Sequence, residues 1–128
     1  MNTRRFLAAL LLLVLCPVMA EDAIVAHVDA KQAAELIKTK KPLVLDVRTP
    51  DEFAKGHIEG AKNLDFTENS FEGALAALDK KQPVLLHCAS GARSTSSLKV
   101  FKKLGFEKVT HLDGGFNAWK SAGLPVAK

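Results

Sequence analysis

The stretch Val84-Leu85-Leu86-His87-Cys88-Ala89-Ser90-Gly91-Ala92-Arg93 decides the fold. Val84 to Leu86 form a short, fully apolar run, the kind expected of a strand in a sheet covered on both faces. His87 and Cys88 then arrive at the strand's carboxyl end, followed by small residues and Arg93. From Arg93 or Ser94 the pattern becomes helical. Leu98, Phe101 and Leu104 point inward and Gly105 acts as the stop. A buried strand that passes through a short loop into a helix is the unit of an α/β sheet. In such sheets, ligands bind outside the carboxyl ends of the strands.

Outward from this unit the pattern repeats. Ile24 to Val28, Leu43-Val44-Leu45 and Val109 to Leu112 read as further strands. Asp29 caps a helix expected to run through Ile37, with Ala33, Ala34 and Ile37 on one face. Thr49-Pro50-Asp51-Glu52 carries a cap, a proline at the first helical position and a glutamate three residues after the cap. That helix should stop before Gly56. Asn69 or Ser70 caps another, with Leu75 and Leu78, that ends near Lys80. Gly114-Gly115 turns into a last short helix containing Trp119. The expected fold class is α/β, with a mostly parallel central sheet and helices on both faces.

Of the 61 apolar residues, 15 lie in the first 20 positions, which leaves 46 among the other 108, or 43%. The whole-chain value of 48% therefore overstates the hydrophobicity of the folded part. These proportions exclude disorder, collagen, a disulfide scaffold and a polytopic membrane protein. Met1 to Ala20 reads as a signal peptide, with Arg4 and Arg5, the apolar run Phe6 to Leu15, and Val18-Met19-Ala20 as the cleavage site. The uncharged stretch is short of the about 20 apolar residues that span a bilayer, so no stable membrane anchor is expected after cleavage. A rival reading is a lipoprotein leader cut before Cys16. That processing favours a small residue where Leu15 stands. Cleavage after Ala20 leaves one domain, residues 21–128, exported to the periplasm with Cys88 as its lone thiol. A single cysteine in an exported domain points to intermolecular pairing or a reactive thiol. The bland alternative is a small buried hydrophobe.

The loop argues for reactivity. Ala89, Ser90, Gly91 and Ala92 are small, and Gly91 can adopt a positive φ. Such a loop can curl its N–H groups inward as an anion nest, with the positive end of the following helix adding to the field. A thiol at its centre should be held low in pKa. Arg93 adds a permanent charge and donors for an oxyanion or for the loop backbone. Cysteine phosphatases use a longer spacing between cysteine and arginine. The tighter ring here suits one sulfur atom on the cysteine better than a phosphate. No aspartate stands out as a general acid on a lid.

With these residues the chain resembles the rhodanese family. Leu45-Asp46-Val47-Arg48, Glu52-Phe53 and Gly56-His57-Ile58-Glu59-Gly60-Ala61 resemble its N-terminal signature. Leu112-Asp113-Gly114-Gly115-Phe116, Ala118-Trp119 and Gly123-Leu124-Pro125-Val126 resemble its C-terminal one, so that the match covers about residues 25–127. The resemblance implies a thiosulfate sulfurtransferase-type enzyme that moves sulfane sulfur through a Cys88 persulfide. The donor would be a small anion such as thiosulfate, and the acceptor cyanide or a thiol, a protein thiol included. It further implies that Asp46, Arg48 and Glu52 brace the loop, Asp46 through Arg93 and Arg48 through Glu52. The alternatives are a cysteine phosphatase or arsenate reductase-like enzyme, or a module that senses persulfide or redox state without turnover.

His57 reads as a packing or hydrogen-bonding residue, and strand alternation turns His87 away from Cys88. His27, His57, His87 and His111 show no ligand spacing along the chain, so neither metal nor cofactor is expected. Phe116 and Trp119 fit the core side of a short helix. The pairs Lys40-Lys41, Lys80-Lys81 and Lys102-Lys103 are isolated. With a net charge of +4 that falls to +2 without Arg4 and Arg5, they make no nucleic-acid footprint.

Overall fold

The computed structural model describes residues 24–128. The expected leader and Cys16 lie outside them. Four apolar runs form strands: β1 (Val25–Val28), β2 (Leu43–Asp46), β4 (Val84–His87) and β5 (Val109–Leu112). Along the chain β3 (Lys62–Asn63) comes between β2 and β4, a polar two-residue strand at the sheet edge that sequence patterning does not reveal. Besides its ladder it is held by the Asn63 side chain, which donates to the carbonyls of Asp46 and Arg48 at 3.0 and 2.8 Å. The pairings among these strands are parallel, in the order β1-β5-β4-β2-β3.

The helices are α1 (Ala30–Lys40), α2 (Pro50–Lys55), α3 (Phe71–Ala76), α4 (Ala92–Leu104) and α5 (Gly115–Ser121). Asp29 and Gln32 make a capping box on α1, and Thr49 and Glu52 make one on α2. The α1 helix runs past Ile37 to Lys40 because Lys41, in the left-handed region at φ 48°, closes it. In contrast, α3 stops at Ala76, short of Lys80; its cap Ser70 makes no side-chain bond.

Two apolar layers cover the sheet. On one face Leu45, Leu86 and Val109 pack with Phe71 and Leu75 of α3 and Phe101 of α4. On the other, Val44, Leu85 and Leu112 pack with Ala33 of α1 and Phe116 and Trp119 of α5. Helices therefore lie on both faces. The chain leaves β2 toward β3 and leaves β4 toward β5, in opposite directions along the sheet. The order reverses between β2 and β4, and this is where an α/β sheet opens a crevice at its carboxyl edge.

Candidate active site

At that reversal β4 ends and the loop Cys88 to Ala92 begins. Cys88 Sγ accepts the N–H of Gly91 at 3.1 Å and stands 3.2 Å from the Ser94 hydroxyl. Gly91 sits at φ 111°, a region that L side chains rarely adopt, and this lets the loop bend back toward the sulfur. Burial raises the thiol pKa. The Ser94 hydroxyl and the N–H groups of Ser94, Gly91 and Ser90 more than offset it, so the thiol lies below its ordinary value. Cys88 is only 1% exposed and therefore sits at the floor of the loop.

The outside of the loop is held by α5. The N–H groups of Phe116 and Asn117 donate to the carbonyls of Cys88 and Ala89 at 2.8 and 2.9 Å. This approach needs Gly115, where a Cβ would lie 2.5 Å from the Cys88 oxygen and 2.6 Å from that of Ala89. The diglycine thus fits the last helix onto the loop, a role beyond the turn expected of it.

Asp46, Arg48, Glu52 and Arg93 all lie near the loop, but their pairing differs from the expected one. Arg48 binds Asp46, not Glu52: its Nη2 lies 2.7 Å from Oδ2, and its Nε and backbone N–H also donate to the carboxylate. Both side chains are buried, at 5% and 0% exposure. Arg93 binds Glu52, not Asp46, through two parallel bonds of 2.7 and 2.9 Å, and this pair is about one-third exposed. The reason is local. Asp46 ends β2 and Arg48 follows two residues later on the same side, so Arg48 saturates the carboxylate and leaves Arg93 to the capping residue of α2. Among the described residues, both side-chain hydrogen bonds of Arg93 therefore go to Glu52 and none to the loop backbone. The Arg93 guanidinium holds the Glu52 carboxyl down to about 2, and Thr49 helps. Arg48 also donates to the Gly56 carbonyl at 2.8 Å and lies 4.1 Å over the Phe116 ring, which ties β2, α2 and α5 together.

His87 faces the other side of the sheet from Cys88. Its Nδ1 donates to the Cys88 carbonyl at 3.0 Å, and its Nε2 lies 3.8 Å from Asp46 without a hydrogen-bond partner. Burial keeps its pKa low, so the ring is neutral. His57 bonds the Phe53 carbonyl through Nδ1 and stacks on the Phe53 ring.

Distances along the chain hid one cluster. His27 and His111 are register partners on β1 and β5, and Nδ1 of each lies within 2.8 Å of the same Asp113 oxygen. The three candidate donor atoms fall within 4.8 Å of one another. Both facing nitrogens are hydrogen-bonded to the carboxylate, which makes the group a hydrogen-bonded chain. His111 Nε2 continues it to the Ser94 hydroxyl at 2.7 Å. Ser94, His111 and Asp113 are site neighbours that sequence reasoning missed. The available signal was Ser94, directly after Arg93 at the start of α4.

Beside the loop lies a cleft of about 240 Å³ that includes Arg48, Glu52, Lys55, Ala89, Asn117 and Lys120 in its lining. With Glu52 tied to Arg93, the basic side chains of Lys55 and Lys120 give this approach a positive cast.

A profile described as the Rhodanese-like domain matches residues 29–122. Thiosulfate sulfurtransferase GlpE of Vibrio cholerae is 33% identical over 100 residues, 78% of this chain and 92% of that protein. The GlpE of Pseudomonas aeruginosa is 36% identical over 92 residues, 72% and 82% of the two chains. Among solved structures, a rhodanese-related protein from Thermoplasma volcanium superposes with a TM-score of 0.71 at 27% identity, covering 80% of this chain and 97% of that one. A rhodanese-like domain from Anabaena gives 0.69 at 28% identity, covering 79% and 77%.

Proposed function

The chain belongs to the rhodanese-like domain family, and from that premise we propose that it is a sulfurtransferase carrying sulfane sulfur on Cys88. The observation that supports this best is the cradle around Sγ, where the Gly91 N–H and the Ser94 hydroxyl favour an anion over a neutral thiol. In the first half-reaction the Cys88 thiolate attacks the outer sulfur of a donor such as thiosulfate. The donor's S–S bond breaks, sulfite leaves with the electron pair, and a persulfide anion remains. In the second, cyanide or a thiolate attacks the terminal sulfur, the persulfide S–S bond breaks, and the Cys88 thiolate returns. Each step moves negative charge along one line of atoms, which suits fixed N–H donors that need not reorganise. Lys55 and Lys120 favour the arrival of an anionic donor.

The spacing from Cys88 to Arg93 supports sulfur over phosphate as the group carried. Export to the periplasm, with cleavage after Ala20, belongs to the same reading and rests on the leader-like composition of residues 1–20. One experiment addresses both. Protein recovered from the periplasm is treated with thiosulfate and its mass measured, intact and as peptides. The expected species begins at Glu21 and gains one sulfur atom on the Cys88 peptide. Cys88→Ser should neither gain the sulfur nor form thiocyanate, while it keeps its fold by circular dichroism. Thiocyanate formation by Cys88→Ser at the normal rate would sink the mechanism, and turnover of phosphate esters would favour the phosphatase alternative.

A further inference from the structure

Behind the sulfur runs an unbroken series of short contacts: Cys88 Sγ to Ser94 Oγ at 3.2 Å, Ser94 Oγ to His111 Nε2 at 2.7 Å, and His111 Nδ1 to Asp113 Oδ1 at 2.7 Å. The series ends at the surface, where Asp113 also meets His27 Nδ1 at 2.8 Å. His111 and Ser94 are buried, whereas His27 and the Asp113 carboxylate are more than half exposed. We propose that His111 is a positioning residue that accepts the Cys88 proton through the Ser94 hydroxyl, with Asp113 and His27 linking it to solvent. This rests on the reading of Cys88 as a nucleophile and adds the route by which it becomes one.

Counting hydrogens supports the direction. Hydrogen bonds from His27 and His111 hold the Asp113 carboxyl below its ordinary range, so it accepts and the His111 Nδ1 carries a hydrogen. In the neutral ring Nε2 is then bare and calls for the hydroxyl hydrogen of Ser94. A Cys88 thiolate calls for the same hydrogen. Ser94 has one, which the Gly91 carbonyl at 3.2 Å also draws on. A thiolate beside a neutral His111 therefore competes with Nε2 for it and keeps only the loop N–H groups when it loses. The conflict vanishes when the thiol proton passes to Ser94 Oγ and the Ser94 proton passes to His111 Nε2. One S–H bond is broken, one N–H bond is formed, Ser94 ends as it began, and nothing is oxidised. The products are a thiolate that accepts from Ser94 and an imidazolium that donates to Ser94 and Asp113.

The other ionisable groups around His111 favour the same outcome or are fixed. Asp113 on its own loop stabilises the cation. His27 on β1 meets it edge-on at 5.4 Å between centroids and opposes it only when protonated. His87 on β4 is neutral. α4 meets the ring through Ser94.

The test follows two groups in the mature protein: alkylation of Cys88 by iodoacetamide against pH, and the side-chain nitrogen shifts of His111 by NMR. Coupling between two titrating groups is reciprocal. His111→Gln should lower the alkylation rate at mildly acidic pH by about tenfold, equivalent to about one unit in the thiol midpoint. Cys88→Ser should lower the His111 midpoint by a similar amount. Ser94→Ala should uncouple the two titrations, and Ser94→Thr should restore the coupling. An unchanged His111 midpoint in Cys88→Ser would overturn the proposal, and that arm decides alone if His111→Gln fails to fold. Neither readout requires sulfur transfer. Coupled titrations in a protein that takes no sulfur from thiosulfate would therefore sink the functional reading and keep this one.

Discussion

The two arginine–carboxylate pairs beside the loop are alike in contact and unlike in setting. Asp46–Arg48 and Glu52–Arg93 both close to 2.7 Å, yet the first pair is buried and the second is about one-third exposed. A buried pair loses two hydration shells when it forms. Breaking it leaves one charge stranded in the core, so it behaves as a fixed joint. A half-exposed pair is screened by water and contributes little to stability. Its value is geometric: the planar fork of Arg93 ties the first turn of α4 to the first turn of α2. The inner pair holds the architecture together, and the outer one aligns the loop with the helix opposite.

The contrast can be broken most forcefully at Arg48. Arg48→Ala should destabilise the protein by about 3–5 kcal/mol in urea unfolding, because Asp46 would remain buried without its partner. A loss below about 1 kcal/mol would erase the distinction between the pairs. Arg93→Lys should do the opposite, changing stability by less than about 1 kcal/mol while thiosulfate:cyanide turnover falls by about tenfold or more through misplacement of the loop. Equal damage to stability from the two substitutions would show that the outer pair is also structural.

The smallest effect is in acid. Glu52 falls from 4.5 to about 2 on folding, so its contribution is complete above about 4.5 and lost as the pH falls toward 2. Because the pair is partly solvated, the whole contribution should stay within about 1 kcal/mol. Acid titration of unfolding should therefore show Glu52→Gln slightly less stable at neutral pH and converging on the unmodified protein near pH 2. A constant offset across that range would remove Glu52 titration as the cause.

Most of this framework could be read along the chain, because its causes are local. Apolar runs mark β1, β2, β4 and β5, Asp29 marks the start of α1, and Thr49 with Glu52 marks α2. The two-residue β3 escaped, since a polar strand held by the Asn63 side chain carries no alternation. The pairing of charges is hidden in the sequence for a different reason. Glu52 and Arg93 stand 41 residues apart, while Asp46 has its partner two residues away. Four candidate charges near one loop allow several matchings, and only burial and distance select one. Ser94 and His111 meet across 17 residues, from a helix start to a neighbouring strand, and no motif encodes that approach.

The seating of α5 on the loop has a consequence for the order in which the protein acquires its chemistry. The amides that fix the Cys88 and Ala89 carbonyls belong to Phe116 and Asn117, and the edge strand β1 lies against β5. A chain made from its amino end presents Cys88 before it contains these partners. Until the last quarter has been synthesised, Cys88 stands on an incomplete sheet, without β5 beside β4. The seat of the loop is complete only when the carboxyl-terminal helix arrives, so a truncated or stalled product would carry Cys88 without the amides that fix its carbonyl.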